Sequence, residues 1–386
     1  MKKAVMYGAG NIGRGFIGQV LRDCGYRVVF VDINTEMVSA LNKAGRYTQV
    51  IVDGNTTTTR VIDEVSAVDG KDLSAVAKEI ADCDLMAVSV GTAVLPFIAP
   101  NIAAGIAERM RTTGLPLNIL LCENALHAHE LMGNLLRSVP GFDPECLKRV
   151  GLVRTTIGRM VPVLSSQAQR EDPTRIAVES FCELPVDKDA FVGEMPFINC
   201  AVPYSPFSFY EDKKLYIHNM GHAMTAYLGY LKGYEYIWQA VADEDIFSRT
   251  RSAMLCVVKA LAAEYGAELA GLISHADELL ARFGNRGLGD TIARVGRDPM
   301  RKLAHGDRFA GAVSKCSKNG VACEPILEGI AASLLYQGEE GDPSAAEMLE
   351  RIQHLGPVGF LKNWCRLSEA DSEKCSAIFD IYSKKN

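Results

Sequence analysis

The chain reads as an α/β protein: a doubly wound parallel sheet with added strands, followed by a mostly α-helical C-terminal domain. Three observations carry this reading. Short apolar runs alternate with amphipathic stretches through the first half. A glycine-rich turn, Gly8-Ala9-Gly10-Asn11-Ile12-Gly13, follows the first of those runs directly. From about Glu211 onward the pattern becomes helical almost throughout.

Ala4–Tyr7 is the first apolar run, and GxGxxG separates it from an amphipathic stretch over Ile12–Cys24. Arg27–Val31 is a second run, ending at Asp32. Gly8 allows a sharp turn, Gly10 lets backbone approach a pyrophosphate, and Gly13 lets helix and strand pack closely. Ala9, Asn11 and Ile12 complete the loop, and the free N–H groups of the helix start face the anion. Asp32, nineteen residues past Gly13, is placed for both ribose hydroxyls. Its charge would repel a 2′-phosphate, so NAD is expected rather than NADP. This is a Rossmann-type arrangement, parts of which FAD enzymes and methyltransferases share.

The alternation continues. Helices are expected over Met37–Lys43, Asp72–Asp82 and Phe97–Arg111, and β-rich pieces over 47–53 and 58–62. Leu85–Val90 is a buried strand ending at Gly91, where a cofactor would cross its carboxyl end; Ile119–Cys122 is another, followed by Glu123 and Asn124. The Asn124 amide would either hold a substrate oxygen or cap the next helix. Residues 152–163 and 175–184 read as strands that extend the sheet, and the proline-rich 185–209 as an extended connection. The domain boundary is set there: 1–195 binds the dinucleotide, and 196–386 is a helical substrate and catalytic domain.

In the second half, Lys214, His218, Asn219 and His222 stand within KLYIHNMGH. On an α-helix His218 falls about 40° from Lys214, His222 about 80° and Asn219 about 140°. They share one side of the helix with apolar neighbours. A lysine at the edge of such a site loses solvation for its charged form and becomes a base near neutral pH. The alternative is an ordinary amphipathic helix with polar decoration. Further on, RVGRDPMRKLAHGDRF gathers Arg294, Arg297, Arg301, Lys302 and Arg308. Arg297 and Arg301 share a helix face if the helix runs through Pro299, and paired guanidiniums suit a phosphate or carboxylate. Structural salt bridges would explain the same residues. His127, His129, His275, His305 and His354 show no triad or metal spacing and read as surface or core histidines.

Composition narrows the classes. With a formal charge of −6 and no long basic run, the chain is not expected to bind nucleic acid. Eleven cysteines without a CxxC pair suggest reduced thiols rather than a disulfide framework, and no metal is expected. No apolar run reaches membrane-spanning length, and the lead before the glycine turn is too short for a signal peptide. The protein is expected in the cytoplasm, without membrane contact, as a monomer or small homo-oligomer.

Three features together, GAGNIGRGFIG at 8–18, CEN at 122–124 and Lys214-x4-Asn219-x2-His222, resemble the polyol-specific long-chain dehydrogenases of the mannitol dehydrogenase family. GHAMTAYLG at 221–229, VGRDPMRKLAHGDR at 295–308 and LEGIAAS at 327–333 extend the likeness over almost the whole chain. The resemblance implies an NAD-binding Rossmann domain, a helical C-terminal domain and metal-independent hydride transfer between mannitol 1-phosphate and fructose 6-phosphate. Lys214 would be the general base, Asn219 and Asn124 would hold the oxyanion, and His222 would position sugar hydroxyls. Arg301 with Arg297, Lys302 and Arg308 would take the phosphate. The family's VDxxVDRIVP is here VRTTIGRMVP, so Arg154 and Gly158 replace two aspartates, and His218 stands where an apolar residue is expected. Alternatives are a reductase for another sugar phosphate or a hexuronate- or 6-phosphogluconate-like acid, and a non-catalytic NAD-binding relative.

Overall fold

Apolar runs with no polar face need cover on both sides, and such runs build the central sheet of the N-terminal unit. The computed structural model describes residues 1–54, 56–123, 127–162, 170–338 and 342–384. These divide into two units, Met1–Tyr210 and Glu211–Asn386.

The first unit holds β1 (Lys3–Tyr7), β2 (Arg27–Asp32), β3 (Tyr47–Asp53), β4 (Thr56–Ile62), β5 (Val65–Asp69), β6 (Leu85–Val88), β7 (Leu117–Leu121), β8 (Val150–Arg154), β9 (Ile176–Glu179), β10 (Leu184–Asp187) and β11 (Ala201–Tyr204). The central sheet runs β5-β2-β1-β6-β7-β8, all parallel. Chain order reverses between β1 and β6, which makes that point the switch of a doubly wound sheet. Side chains alternate between two cores. Ala4, Met6, Val28, Phe30, Leu85 and Ala87 face one, with Phe16, Val20 and Leu21. Val5, Tyr7, Val31, Met86 and Val88 face the other, with Val76, Ile80 and Ile102.

The expected strands at 152–163 and 175–184 fare differently. β8 adds to the sheet edge beside β7 but stops at Arg154. β9 does not join the central sheet; it pairs with β3, which also pairs with β4, in a three-stranded side sheet. The cause is local packing: Ile176 and Val178 lie against Gly15, so the helix after the glycine turn covers β9.

The second unit is helical. Ser208–Asp212 leads into a π-helical stretch, Lys213–Asn219, and then into the α-helix Met220–Leu231. That last helix is buried for most of its length because its glycines admit neighbours: a Cβ on Gly221 would lie 2.7 Å from Met254 Sδ, and one on Gly229 2.7 Å from Ala240 Cβ. Glu244–Tyr265 starts at Asp243, whose carboxylate accepts the N–H groups of Asp245 and Ile246. Leu269–Phe283 packs beside it. Shorter helices, among them Ile237–Ala242 and Ala310–Lys318, continue the helical pattern. No helix among the described residues is long and apolar enough to cross a membrane. All eleven cysteines are free thiols.

Candidate active site

The glycine turn lies at the switch point between β1 and β6. Gly8 has φ +101°, and a Cβ there would stand 2.2 Å from the Ser89 carbonyl oxygen. A Cβ on Gly13 would stand 1.9 Å from the Gly8 carbonyl oxygen. These two glycines therefore fix the turn. Gly10 differs: it is exposed, with no atom within 4 Å of where its Cβ would be, so its backbone presents an open surface. Asn11 is also exposed and opens the helix, whose next turn, Gly13–Ile17, is π-helical. Asp32 Oδ2 accepts from the Ala9 N–H at 2.7 Å and Oδ1 from the Asn34 N–H at 2.9 Å, so this carboxylate ties β2 to the turn.

Gly91, at φ +89°, also faces open space. Its N–H and that of Val90 donate to the two carboxylate oxygens of Glu123, at 3.0 and 2.8 Å. Burial pushes the Glu123 pKa up, and those two N–H groups partly offset it. Glu123 thus clamps the loop after β6, a role the sequence does not announce beyond an acid at the end of a buried run. Asn124 lies outside the described residues.

In the second unit, the π-helical stretch changes the predicted register of the helix that carries Lys214. A turn closed by i→i+5 bonds brings residue i+5 back over residue i. Asn219 is i+5 from Lys214, so the wider turn returns it toward the lysine's side, where α-helical spacing had rotated it away. Lys214 Nζ lies 2.9 Å from His218 Nδ1. His222 stacks on Phe283 with ring centroids 4.6 Å apart. Its Nε2 is 3.0 Å from Asp290 Oδ2, at ion-pair distance but off the line of a ring N–H. Asp290 is buried and also accepts from Arg294 Nε at 2.7 Å. Burial lowers the His222 pKa more than Asp290 raises it, leaving a neutral ring. Burial pushes Asp290 the other way, upward, but His222 and Arg294 hold it below the usual carboxylate range. With His222 neutral, the charge that sustains Asp290 near neutral pH is that of Arg294. His275 is also a member of this site: burial, then the charges of Lys213, Arg282 and Lys214, bring its pKa down to about 3.

The basic segment is sorted by burial. Arg297 and Arg301 do not share a helix face. The helix Ile292–Gly296 ends before Arg297, Asp298 is left-handed at φ 63°, and a new helix starts at Pro299. Proline disfavours α geometry in the residue before it, and that breaks the expected continuity. Arg301 is exposed and bound to Asp298 at 2.6 Å. Lys302 and Arg308 are buried, 5% and 8% exposed; Arg308 bonds Asp307, whereas no carboxylate among the described residues lies at ion-pair distance from Lys302. Burial, then the charges of Arg308 and Arg301, bring the Lys302 pKa down to about 7. The segment is anchored to the lysine helix: Tyr216 donates to the Gly306 carbonyl at 3.1 Å and Tyr227 to that of Gly296 at 2.9 Å.

Each of the two family departures faces an aromatic ring. Arg154, at the end of β8, pairs with the buried Asp187 at 2.8 Å and lies over the Phe207 ring. A Cβ at Gly158 would be 3.2 Å from the Phe181 ring, so an aspartate would crowd that ring.

A glycine turn at the switch point of a Rossmann sheet, with a helical unit behind it in the chain, defines the class: a two-unit dinucleotide-binding protein. The family follows from sequence. The family model for the mannitol dehydrogenase Rossmann domain matches residues 2–200 and that for the mannitol dehydrogenase C-terminal domain matches 207–359. The chain belongs to the mannitol dehydrogenase family. Relatives include proteins named mannitol-1-phosphate 5-dehydrogenase from Brevibacillus brevis and Shouchella clausii. The first is 36% identical, covering 93% of this chain and 92% of the relative. The second is 35% identical, covering 99% and 100%. Among solved structures, a D-sorbitol dehydrogenase in substrate-free form aligns with TM-score 0.81 at 18% identity, covering 100% of this chain and 94% of that one. The Pseudomonas fluorescens mannitol 2-dehydrogenase, solved with NAD and D-mannitol, aligns at 0.76 and 19%, covering 100% and 91%. At these identities the structures share the fold.

Proposed function

We propose that the chain is an NAD-dependent polyol-phosphate dehydrogenase of the cytoplasm, interconverting mannitol 1-phosphate and fructose 6-phosphate with Lys214 as the proton-transfer group. The observation that carries this reading is the π-helical turn that returns Asn219, five residues on, toward the side of Lys214, with the His222–Asp290 pair one turn further on. An ordinary amphipathic helix has no need of such an arrangement, and π turns recur at functional sites.

The residues of the first unit fit a dinucleotide. Gly10 leaves room for a pyrophosphate, and the adjoining helix start offers N–H groups to it. Asp32 uses two acceptor positions on Ala9 and Asn34; a carboxylate has about four, so two remain for ribose hydroxyls. Gly91, held by Glu123, gives a flat approach at the end of β6. When bound, the dinucleotide supplies the hydride acceptor for alcohol oxidation and the donor for ketone reduction.

In oxidation Lys214 takes the alcohol proton, and in reduction its ammonium returns one to the forming alkoxide. Asn219 and Asn124 donate to the oxygen that carries the developing charge. His222, steadied by Phe283 and Asp290, positions sugar hydroxyls. Lys302 and Arg308 take the phosphate, because a buried lysine without a carboxylate partner gains most from an arriving anion. The exposed Arg297 and Arg301 contribute at its rim.

The test mixes purified protein with NADH and a panel of ketose phosphates, free ketoses and ketouronates, following loss of nicotinamide absorbance. Fructose 6-phosphate should be the preferred substrate, and Lys214→Ala should lose about 10²-fold or more in kcat. Absence of turnover with every member would remove the dehydrogenase reading. Preference for free fructose would remove the phosphate role of Lys302, and a ketouronate preference would replace the substrate.

A further inference from the structure

His218 has no place in the roles above, yet it touches the lysine they depend on. Its ring is 4% exposed, and its Nδ1 stands 2.9 Å from Lys214 Nζ. The ionisable groups acting on it are Lys214 and His222 from its own helix and His275 and Arg282 from the helix Leu269–Phe283, with the Phe283 ring edge-on at 5.7 Å. Each of these is cationic or neutral, and Asp290, which faces His222, is engaged by His222 and Arg294. Burial first, then the charge of Lys214, hold the ring well below its ordinary range. The imidazole is therefore neutral, with one nitrogen as donor and the other as acceptor. A lysine ammonium can only donate, so Nδ1 is the acceptor and the ring proton sits on Nε2. An imidazolium here would be buried beside the Lys214 and Arg282 charges, which disfavours a second proton on the ring.

We propose that His218 is the positioning residue for Lys214: its Nδ1 accepts one Nζ hydrogen and fixes the direction in which the remaining nitrogen valences point. The proposal rests on Lys214 as the proton-transfer group. It also accounts for a polar side chain where an apolar one is expected. A core histidine chosen only for packing would leave the lysine's chemistry indifferent to where the acceptor sits. A positioning residue would not.

That difference sets the test. An asparagine at 218 places an acceptor where Nδ1 is, a glutamine places one nearer Nε2, and a leucine has none. Initial rates of polyol-phosphate oxidation by His218→Asn, His218→Gln and His218→Leu would be measured across pH 5.5–10, alongside thermal melting. Loss of an acceptor from a charged donor disfavours the ammonium, so less alkali is needed to free the base. His218→Leu and His218→Gln should lower kcat about tenfold and move the acid limb of kcat to lower pH, with NADH affinity unchanged. His218→Asn should keep the wild-type limb. Should the leucine variant fail to fold, the asparagine and glutamine pair decides. An acid limb shared by all folded variants, or a shift in asparagine equal to that in glutamine, would overturn the proposal. An active Lys214→Ala would instead overturn the assignment of Lys214, which separates the two failures.

Discussion

Two alanine substitutions in one turn should both weaken NADH binding but differ in their effect on stability. At Gly13 the new Cβ would lie 1.9 Å from the Gly8 carbonyl oxygen, a backbone atom of the turn itself, where contact needs more than 3 Å. The turn or the helix start must move by more than 1 Å, and Gly8 has little freedom to yield because it is itself held against Ser89 at φ +101°. Overpacking of this kind costs about 1–3 kcal/mol. For a unit of this size that is about 3–10 °C in melting temperature. At Gly10 the new Cβ would meet nothing within 4 Å, so Gly10→Ala should melt with the wild type. Its methyl group would, however, occupy the space left for the pyrophosphate. NADH affinity, read by fluorescence titration, should fall about tenfold or more in Gly10→Ala without loss of stability, and in Gly13→Ala with it. Wild-type NADH binding by Gly10→Ala would refute the placement of the pyrophosphate, and wild-type melting of Gly13→Ala would refute the close approach.

Other expectations follow the same geometry. Glu123→Gln replaces one acceptor by an amide donor facing the Val90 or Gly91 N–H, which costs about 1–3 kcal/mol. KM for NADH should rise more than kcat falls; equal effects on both would place Glu123 in the chemistry instead. Lys302, with a pKa near 7, is charged below that value and neutral above it, so KM for fructose 6-phosphate should climb as pH rises through about 7. Lys302→Met should flatten that climb, and an unchanged profile would show that the phosphate sits elsewhere. Stability should fall in acid. His218, His222 and His275 take up protons near 6.5 in the unfolded chain but not in the folded one, so the unfolded state binds more protons below that value. For His275 the loss should run from about pH 6.5 down to about 3, at roughly 1.4 kcal/mol per pH unit. His275→Gln should melt at a temperature less sensitive to pH between 6.5 and 5, and an identical pH dependence would argue against a buried neutral ring.

What could be read from the chain was what sequence keeps local. The glycine turn and Asp32 are a short-range device, and the strands around them are buried on both faces, so composition alone exposes them. The helix caps, such as Asp243, are equally local. What escaped involves partners far apart in sequence. β9 could be recognised as a strand, but its partner β3 depends on the helix through Gly15 lying over β9, which no periodicity reveals. Glu123 becomes a clamp only when β6 and β7 are neighbours, and Asp290 meets His222 only after the intervening helices fold back. Arg297 and Arg301 illustrate a local rule applied too lightly: the residue before Pro299 is left-handed, and the shared face disappears with it.

The π-helical turn at Lys213–Asn219 is the most consequential departure from the sequence reading. Residue propensities favour a helix there but say nothing about whether its rings close over four or five residues. The choice matters because an α-helix would set Asn219 about 140° around from Lys214, while the wider turn returns the amide toward the amine. It also leaves His218, four residues along, still within 2.9 Å of the lysine. One backbone irregularity thus keeps His218 Nδ1 on the amine as an acceptor and turns the Asn219 amide toward the same side. Under the proposed roles of Lys214 and Asn219 the widened turn belongs to the chemistry as much as any side chain, and an insertion or deletion within 213–219 should cost activity well before it costs the helix.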